Sequence, residues 1–146
     1  MSETRLLRSV QRLASALTKL ERHAAAAAGV SVSQMRILLS LEHAGRSLRI
    51  SDLADDQGLA VSTMTRNLKL LEAEKGWVRR VPGTVDKRTV EIELTDTGRK
   101  IAASLSDTNV AQFSHAFRQF HPSDRVERAV ALDRVAAALE KSEDEH

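Results

Sequence analysis

The chain has 146 residues, the size of one ordinary domain, with enough length to bury a working core. Hydrophobic residues make up 42% and charged residues 29%, a globular composition, and the absence of cysteine excludes disulfides, thiolate metal sites, cysteine nucleophiles and thiol redox sensing. The net charge of +2 is too small to select a partner, and an aromatic content of 3% without tyrosine argues against a surface that stacks the bases of single strands.

Residues 1–12 are too charged for a secretory signal and no apolar run approaches a membrane span, so a soluble cytoplasmic protein with no membrane role is expected. Residues 4–28 read as a helix, because Leu6, Val10, Leu13, Leu17 and Leu20 recur at alternating spacings of four and three before an alanine run and Gly29. A single apolar seam of that period suits packing against another helix, including one from a second subunit. A second helix is expected over 33–44, with Ser33 as N-cap and Gly45 as its stop. Its apolar residues Met35, Ile37, Leu38, Leu39 and Leu41 cover more than one face, which places it centrally.

A short helix over 51–57, opened by Ser51 and closed by Gly58, precedes a longer one at about 61–75. The period then changes. Val90, Ile92 and Leu94 alternate with Thr89, Glu91 and Glu93, a half-buried strand whose hairpin partner is 77–81, with a loop over 82–88. From Thr95 a helix should run to about Phe120, with Ile101, Leu105, Phe113, Phe117 and Phe120 as its seam, and Pro122 begins a last helix carrying Val126, Leu132, Val135 and Leu139.

The charge is unevenly laid out. Residues 61–100 carry nine basic against six acidic side chains, whereas 101–146 carry five against eight. Within the basic block Arg79, Arg80, Lys87 and Arg88 face only Asp86, a cluster able to hold phosphates, although a solvated charged loop has the same composition. On the helix 61–75, Val61, Met64, Leu68 and Leu71 fall within about 80° and form a buried stripe, with Ser62, Arg66 and Lys69 opposite. Short hydroxyls at a helix start, followed by Arg and Lys one and two turns later, suit a major groove; periodicity alone leaves a solvated surface helix equally open. Two helices joined through Gly58 and followed by a hairpin with a basic loop follow the order of a winged helix-turn-helix, mostly α with a small β-hairpin wing.

The stretch Gly76-Trp77-Val78-x-Arg80, then Asp86-Lys87-Arg88, then Val90-x-Ile92-x-Leu94-Thr95-x-x-Gly98 resembles the wing signature of the MarR family of bacterial transcriptional regulators. Leu53-Ala54 and Thr63-Met64-Thr65-Arg66 through Leu71-Glu72 are similar to its helix-turn-helix. The resemblance implies one domain over 1–146, with dimerisation helices at 1–30 and 100–142 around a DNA-binding lobe at 31–99. It implies Ser62, Thr63, Thr65 and Arg66 at the major groove, with Lys69 on the same face, and Lys87 and Arg88 on a wing in the minor groove. Arginine suits a narrow minor groove because its weakly hydrated cation gains from the negative potential there. Asp86 would repel phosphate, so an ion pair with a nearby arginine is its better role, and Arg80 joins it as a wing-shaping residue. Trp77 is read as packing at the wing root. One departure is visible: Glu72 to Gly76 is one residue longer than the family's usual spacing, which bears on the end of the recognition helix.

The family also implies a homodimer on a pseudo-palindromic operator, repression, and release by a small aromatic or phenolic effector. Arg12, Arg36 and His43 are the candidate effector contacts, with Arg8 and Arg22 nearby, and surface or ion-pair roles remain open for each. The histidines show no metal-ligand spacing, and no phosphate loop, carboxylate pair or nucleophile–base set is recognisable, so no metal, cofactor or catalysis is expected. An alternative is a winged helix that binds an acidic protein partner through the basic loop.

Overall fold

The computed structural model describes residues 2–145; the expected domain limits at Met1 and His146 lie outside the described residues. The first helix, α1, spans Ser2–Ala28, and α2 spans Val32–Ala44. The cap of α2 is Ser31 and not Ser33: the Ser31 hydroxyl accepts from the Gln34 N–H while the Gln34 side chain accepts from the Ser31 N–H. This reciprocal box satisfies two N–H groups that a helix start leaves free, so it wins over a single hydroxyl two residues later. Gly45 ends α2 as expected.

Strand β1 is only Leu48–Arg49, too short for a sequence pattern to reveal. Next, α3 spans Ile50–Gln57, preceded by Arg49 with no side-chain cap, so Ser51 sits inside the first turn instead of opening it. Helix α4 spans Val61–Leu70, and Leu71–Lys75 then widens into a π turn closed by Gly76. A π turn closes with an i→i+5 bond where α closes with i→i+4, which is room for the additional residue that the resemblance implies between Glu72 and Gly76. Leu71 therefore stays fully buried, and Gly76, at φ 65°, takes the left-handed conformation that a side chain would resist. Of the expected stripe, Met64, Leu68 and Leu71 are buried, but Val61 is 52% exposed because it stands at the helix start beyond the core's edge.

Strands β2 (Val78–Pro82) and β3 (Val90–Leu94) form the hairpin, and β1 pairs on the other side of β3, giving an antiparallel sheet of order β1-β3-β2. Trp77 precedes β2 and packs half-buried against the core, and Pro82 is tolerated because β2 is an edge strand. The alternation in β3 is broken: Ile92 and Leu94 are buried, but so is Glu91, while Val90 is exposed. Helix α5 spans Asp96–Phe117, ending three residues before the expected Phe120, and α6 spans Pro122–Asp144 with Pro122 in its first turn.

Two compact units result, Met1–Asn109 and Val110–His146. In the first, α2 is central, with Met35, Ile37 and Leu38 completely buried among Leu53, Met64, Leu68, Leu71 and Ile92. Each such side chain contributes roughly 1.5–3 kcal/mol by leaving water. The close approach that fixes the wing root is at Gly98, where a Cβ would overlap the Trp77 carbonyl. The Thr95 hydroxyl ties the same corner, donating to the Gly76 carbonyl (2.7 Å) and accepting from the Gly98 N–H (3.1 Å). In the second unit Phe113, Phe117 and Phe120 form a ring cluster, and Arg125 Nε donates to the Phe117 and Phe120 carbonyls, closing the end of α5. No residue of α6 is buried.

Candidate nucleic-acid interface

The two faces of α4 divide as their 100° steps demand. Met64 and Leu68 enter the core, while Ser62, Arg66 and Lys69 are exposed within about 60° of one another on the far side. Thr63 and Thr65 are half-buried at its flanks, and the Thr65 hydroxyl donates back to the Val61 carbonyl at 2.9 Å. Among the described residues neither Arg66 nor Lys69 has an ion-pair partner.

A polar clasp holds α4 to its neighbours. Ser33 Oγ donates to Gln57 Oε1 (2.7 Å) and accepts from Asn67 Nδ2 (2.9 Å), while Gln57 Nε2 donates to the Ser33 carbonyl (3.2 Å). Three helices are joined by three part-buried side chains through directional bonds, an arrangement that fixes an angle better than apolar contact does. Asn67 was detectable, because it lies within about 60° of Met64 and Leu71 on the helical wheel, where a polar residue must find a partner.

The wing differs from the expected cluster of four cations facing one acid. Arg79 pairs with Glu93, its cross-strand neighbour, and Arg80 Nε lies 3.7 Å from Glu72 Oε2, so the ion pair of Arg80 links β2 to the π turn and not to Asp86. Asp86 is bonded within the loop: it accepts from the Arg88 backbone N–H (3.0 Å), from Arg88 Nε (3.1 Å) and from Arg88 Nη2 (3.1 Å). These bonds, side-chain first and backbone second, hold the Asp86 carboxyl below its ordinary pKa. Arg88 nonetheless remains 91% exposed, and Lys87 has no ion-pair partner among the described residues.

Beneath the loop lies Glu91, 6% exposed and the one buried charged residue among the described residues. Its carboxylate accepts from Ser47 Oγ (2.6 Å), the Thr84 N–H (3.1 Å) and the Thr84 hydroxyl (3.3 Å). The Ser47 and Thr84 bonds keep it ionised to lower pH than an ordinary glutamate. At the wing root Lys75 Nζ sits 5.3 Å from the Trp77 ring centre.

The candidate effector contacts are not gathered at one place. Arg36 and His43 line a groove of about 400 Å³ between α2 and α3, together with Leu39, Ser40, Asp56 and Gln57. Arg36 is already engaged there by Glu21, at 2.6 Å and 2.9 Å, which raises its pKa further above its ordinary value. Arg12 lies instead on a separate surface of α1 beside Thr4, Arg5, Arg8 and Ser9. No cluster of three or more His, Asp or Glu among the described residues is placed to hold a metal, and no single helix there is long and apolar enough to cross a membrane.

A helix pair ending in an exposed cationic helix, followed by a hairpin with a cationic loop, defines a winged helix-turn-helix. Within that class, the model of the MarR family matches residues 30–90. The chain is 30% identical to the HTH-type transcriptional regulator PecS of Dickeya dadantii over 112 residues, 75% of this chain and 67% of that one. It is 28% identical over 116 residues to YfiV of Bacillus subtilis, an uncharacterised HTH-type transcriptional regulator, covering 80% and 71%. The crystal structure of NadR in complex with 4-hydroxyphenylacetate superimposes with a TM-score of 0.75 at 24% identity, covering 90% and 89%. The chain belongs to the MarR family and is a DNA-binding transcriptional regulator.

Proposed function

We propose that this regulator is a homodimer that reads a pseudo-palindromic duplex operator with half-sites about one helical turn apart. The segment 61–75 enters the major groove, where Ser62, Thr63 and Thr65 take phosphate near the helix start and Arg66 and Lys69 reach base edges. The wing, 82–88, enters the minor groove through Lys87 and Arg88, with Asp86 ordering Arg88 and Arg80 bracing the strand behind it. The observation that carries this reading is the pair of exposed cations, neither in an ion pair among the described residues, on the face of α4 opposite its buried stripe.

The chain acts as one functional domain, with helices at 1–30 and 100–142 pairing the subunits around the lobe 31–99. Support comes from apolar surface left bare on each: Leu6, Leu13 and Leu17 on α1, and Val126, Leu132 and Leu139 on α6, are 36–67% exposed. Doubling the reading heads roughly squares the discrimination of one head. The regulator acts in the cytoplasm, where the chromosome is, as a repressor and not as an enzyme, and a small phenolic acid releases it. The similar fold of NadR, solved with 4-hydroxyphenylacetate, supports that effector class, and the groove at Arg36 and His43 is its candidate site.

Selection of genomic fragments by the purified protein, with and without 4-hydroxyphenylacetate, tests this. The expected result is enrichment of fragments sharing an inverted repeat, weakened by the phenolic acid. Recovery of fragments with no common repeat would overturn the operator reading, and an enrichment insensitive to phenolic acids would overturn the effector.

A further inference from the structure

Glu91 sits where an acid is costly. It is buried within a lobe whose surface is to meet phosphate, on a strand position flanked by Val90 and Ile92. A carboxylate removed from water is tolerated only when its lone pairs are taken up, and here Ser47 and Thr84 between them supply three donors. The two ends of that bridge matter. Ser47 stands just before β1, at the opposite edge of the sheet from β2, whereas Thr84 is the second residue of the loop that follows β2. The remainder of the loop is tied only to itself: the Gly83 N–H donates to the Thr89 carbonyl (2.8 Å), the Thr89 N–H and hydroxyl to the Asp86 carbonyl, and Arg88 to the Asp86 carboxylate. Glu91 is thus the side chain that fastens this self-contained loop to the sheet through an element other than the hairpin itself. Leucine of similar volume would fill the space and leave the Thr84 N–H with no acceptor.

We infer that Glu91 is a positioning residue for DNA binding: by bridging Ser47 and Thr84 it aims the loop carrying Lys87 and Arg88, without touching DNA. This rests on the wing-in-groove reading above. A double-mutant cycle separates it from a general structural role. Glu91→Leu and the shorter Glu91→Asp are each combined with a Lys87→Ala/Arg88→Ala wing knock-out, and operator affinity is measured against salt for dimers whose melting is checked in parallel. Should Glu91→Leu fail to fold, Glu91→Asp carries the test, because its carboxylate stays polar but is one methylene too short to span both partners.

The wing knock-out alone should weaken operator binding roughly tenfold or more and flatten the salt slope, by about one for each phosphate that is no longer neutralised. Either Glu91 variant should reproduce most of that loss in the wild-type background and add less than about twofold on top of the knock-out, and Glu91→Gln, which keeps an acceptor for the Thr84 N–H, should restore binding. Equal losses in both backgrounds, or full affinity in Glu91→Leu beside a weakened wing knock-out, overturn the inference while leaving the wing reading intact. A wing knock-out that binds normally overturns the wing reading itself, and the inference with it.

Discussion

On α4 the cations Arg66 and Lys69 are exposed and without an ion pair among the described residues, on a helix whose other face is the core; on the wing, Arg88 is bonded to Asp86 and Thr84 of the same loop to Glu91. On the proposed reading the two regions solve the same problem, presenting positive charge to a polyanion, one without a paired acid and the other with two. A helix is stiff by itself, so its cations need no partner for placement and keep their full charge and rotamer freedom until they bind. A seven-residue loop has no such stiffness, and carboxylates supply it while cancelling some of the positive potential. The helix should therefore contribute most of the sequence discrimination, and the wing a contact whose strength depends on loop order.

The largest effects should come from removing the support under each region. Met64→Ala, beneath α4, should cost about 2–5 kcal/mol of folding stability by leaving a cavity in a fully buried site. Gly98→Ala, beneath the wing, should cost about 1–3 kcal/mol or more because its Cβ has nowhere to go but into the Trp77 backbone. Urea unfolding checks both, and an undiminished midpoint for Gly98→Ala would show that the wing root is looser than its packing.

Next in size is the division of labour between helix and wing. Arg66→Ala should lose about 1–3 kcal/mol on the preferred operator and much less on random duplex, relaxing specificity. Lys87→Ala should instead weaken all duplexes alike and lower the salt slope by about one. Gel shifts on operator and scrambled fragments distinguish them, and a uniform loss for Arg66→Ala would erase the contrast between the two regions.

The smallest effect is in pH. The carboxyls of Asp86 and Glu91 have depressed pKa values, through Arg88 and through Ser47 and Thr84 respectively, so they bind fewer protons folded than unfolded. Their stabilisation is complete at neutral pH and disappears as pH falls from the ordinary carboxylate range through their lower folded values. Urea midpoints measured between pH 7 and acid should fall less steeply in Glu91→Gln than in wild type. Parallel curves would mean that Glu91 contributes no pH-dependent stability.

What could be read from the chain follows the same contrast. The buried stripe Met64, Leu68 and Leu71 and its polar opposite face were legible because a helix imposes one period on every residue. The wing was legible only in outline, through the alternation of Val90 to Leu94 and its resemblance to the MarR signature. Its internal bonds were not, since Arg79, Arg80 and Arg88 each choose a different acid, Glu93, Glu72 and Asp86, according to register and loop closure. Glu91 was misread as outward-facing because period two assigns a face but cannot see a loop folding back over it. The extra residue before Gly76 was visible, whereas its accommodation as a π turn required the backbone.

Hydroxyl-radical footprinting of the protein on a selected operator tests the central claim most directly. The account predicts two protected patches related by a dyad, each with a minor-groove flank that the Lys87→Ala/Arg88→Ala variant leaves exposed while protection by the helix persists. A single undivided patch, or flanks still protected in that variant, would contradict it.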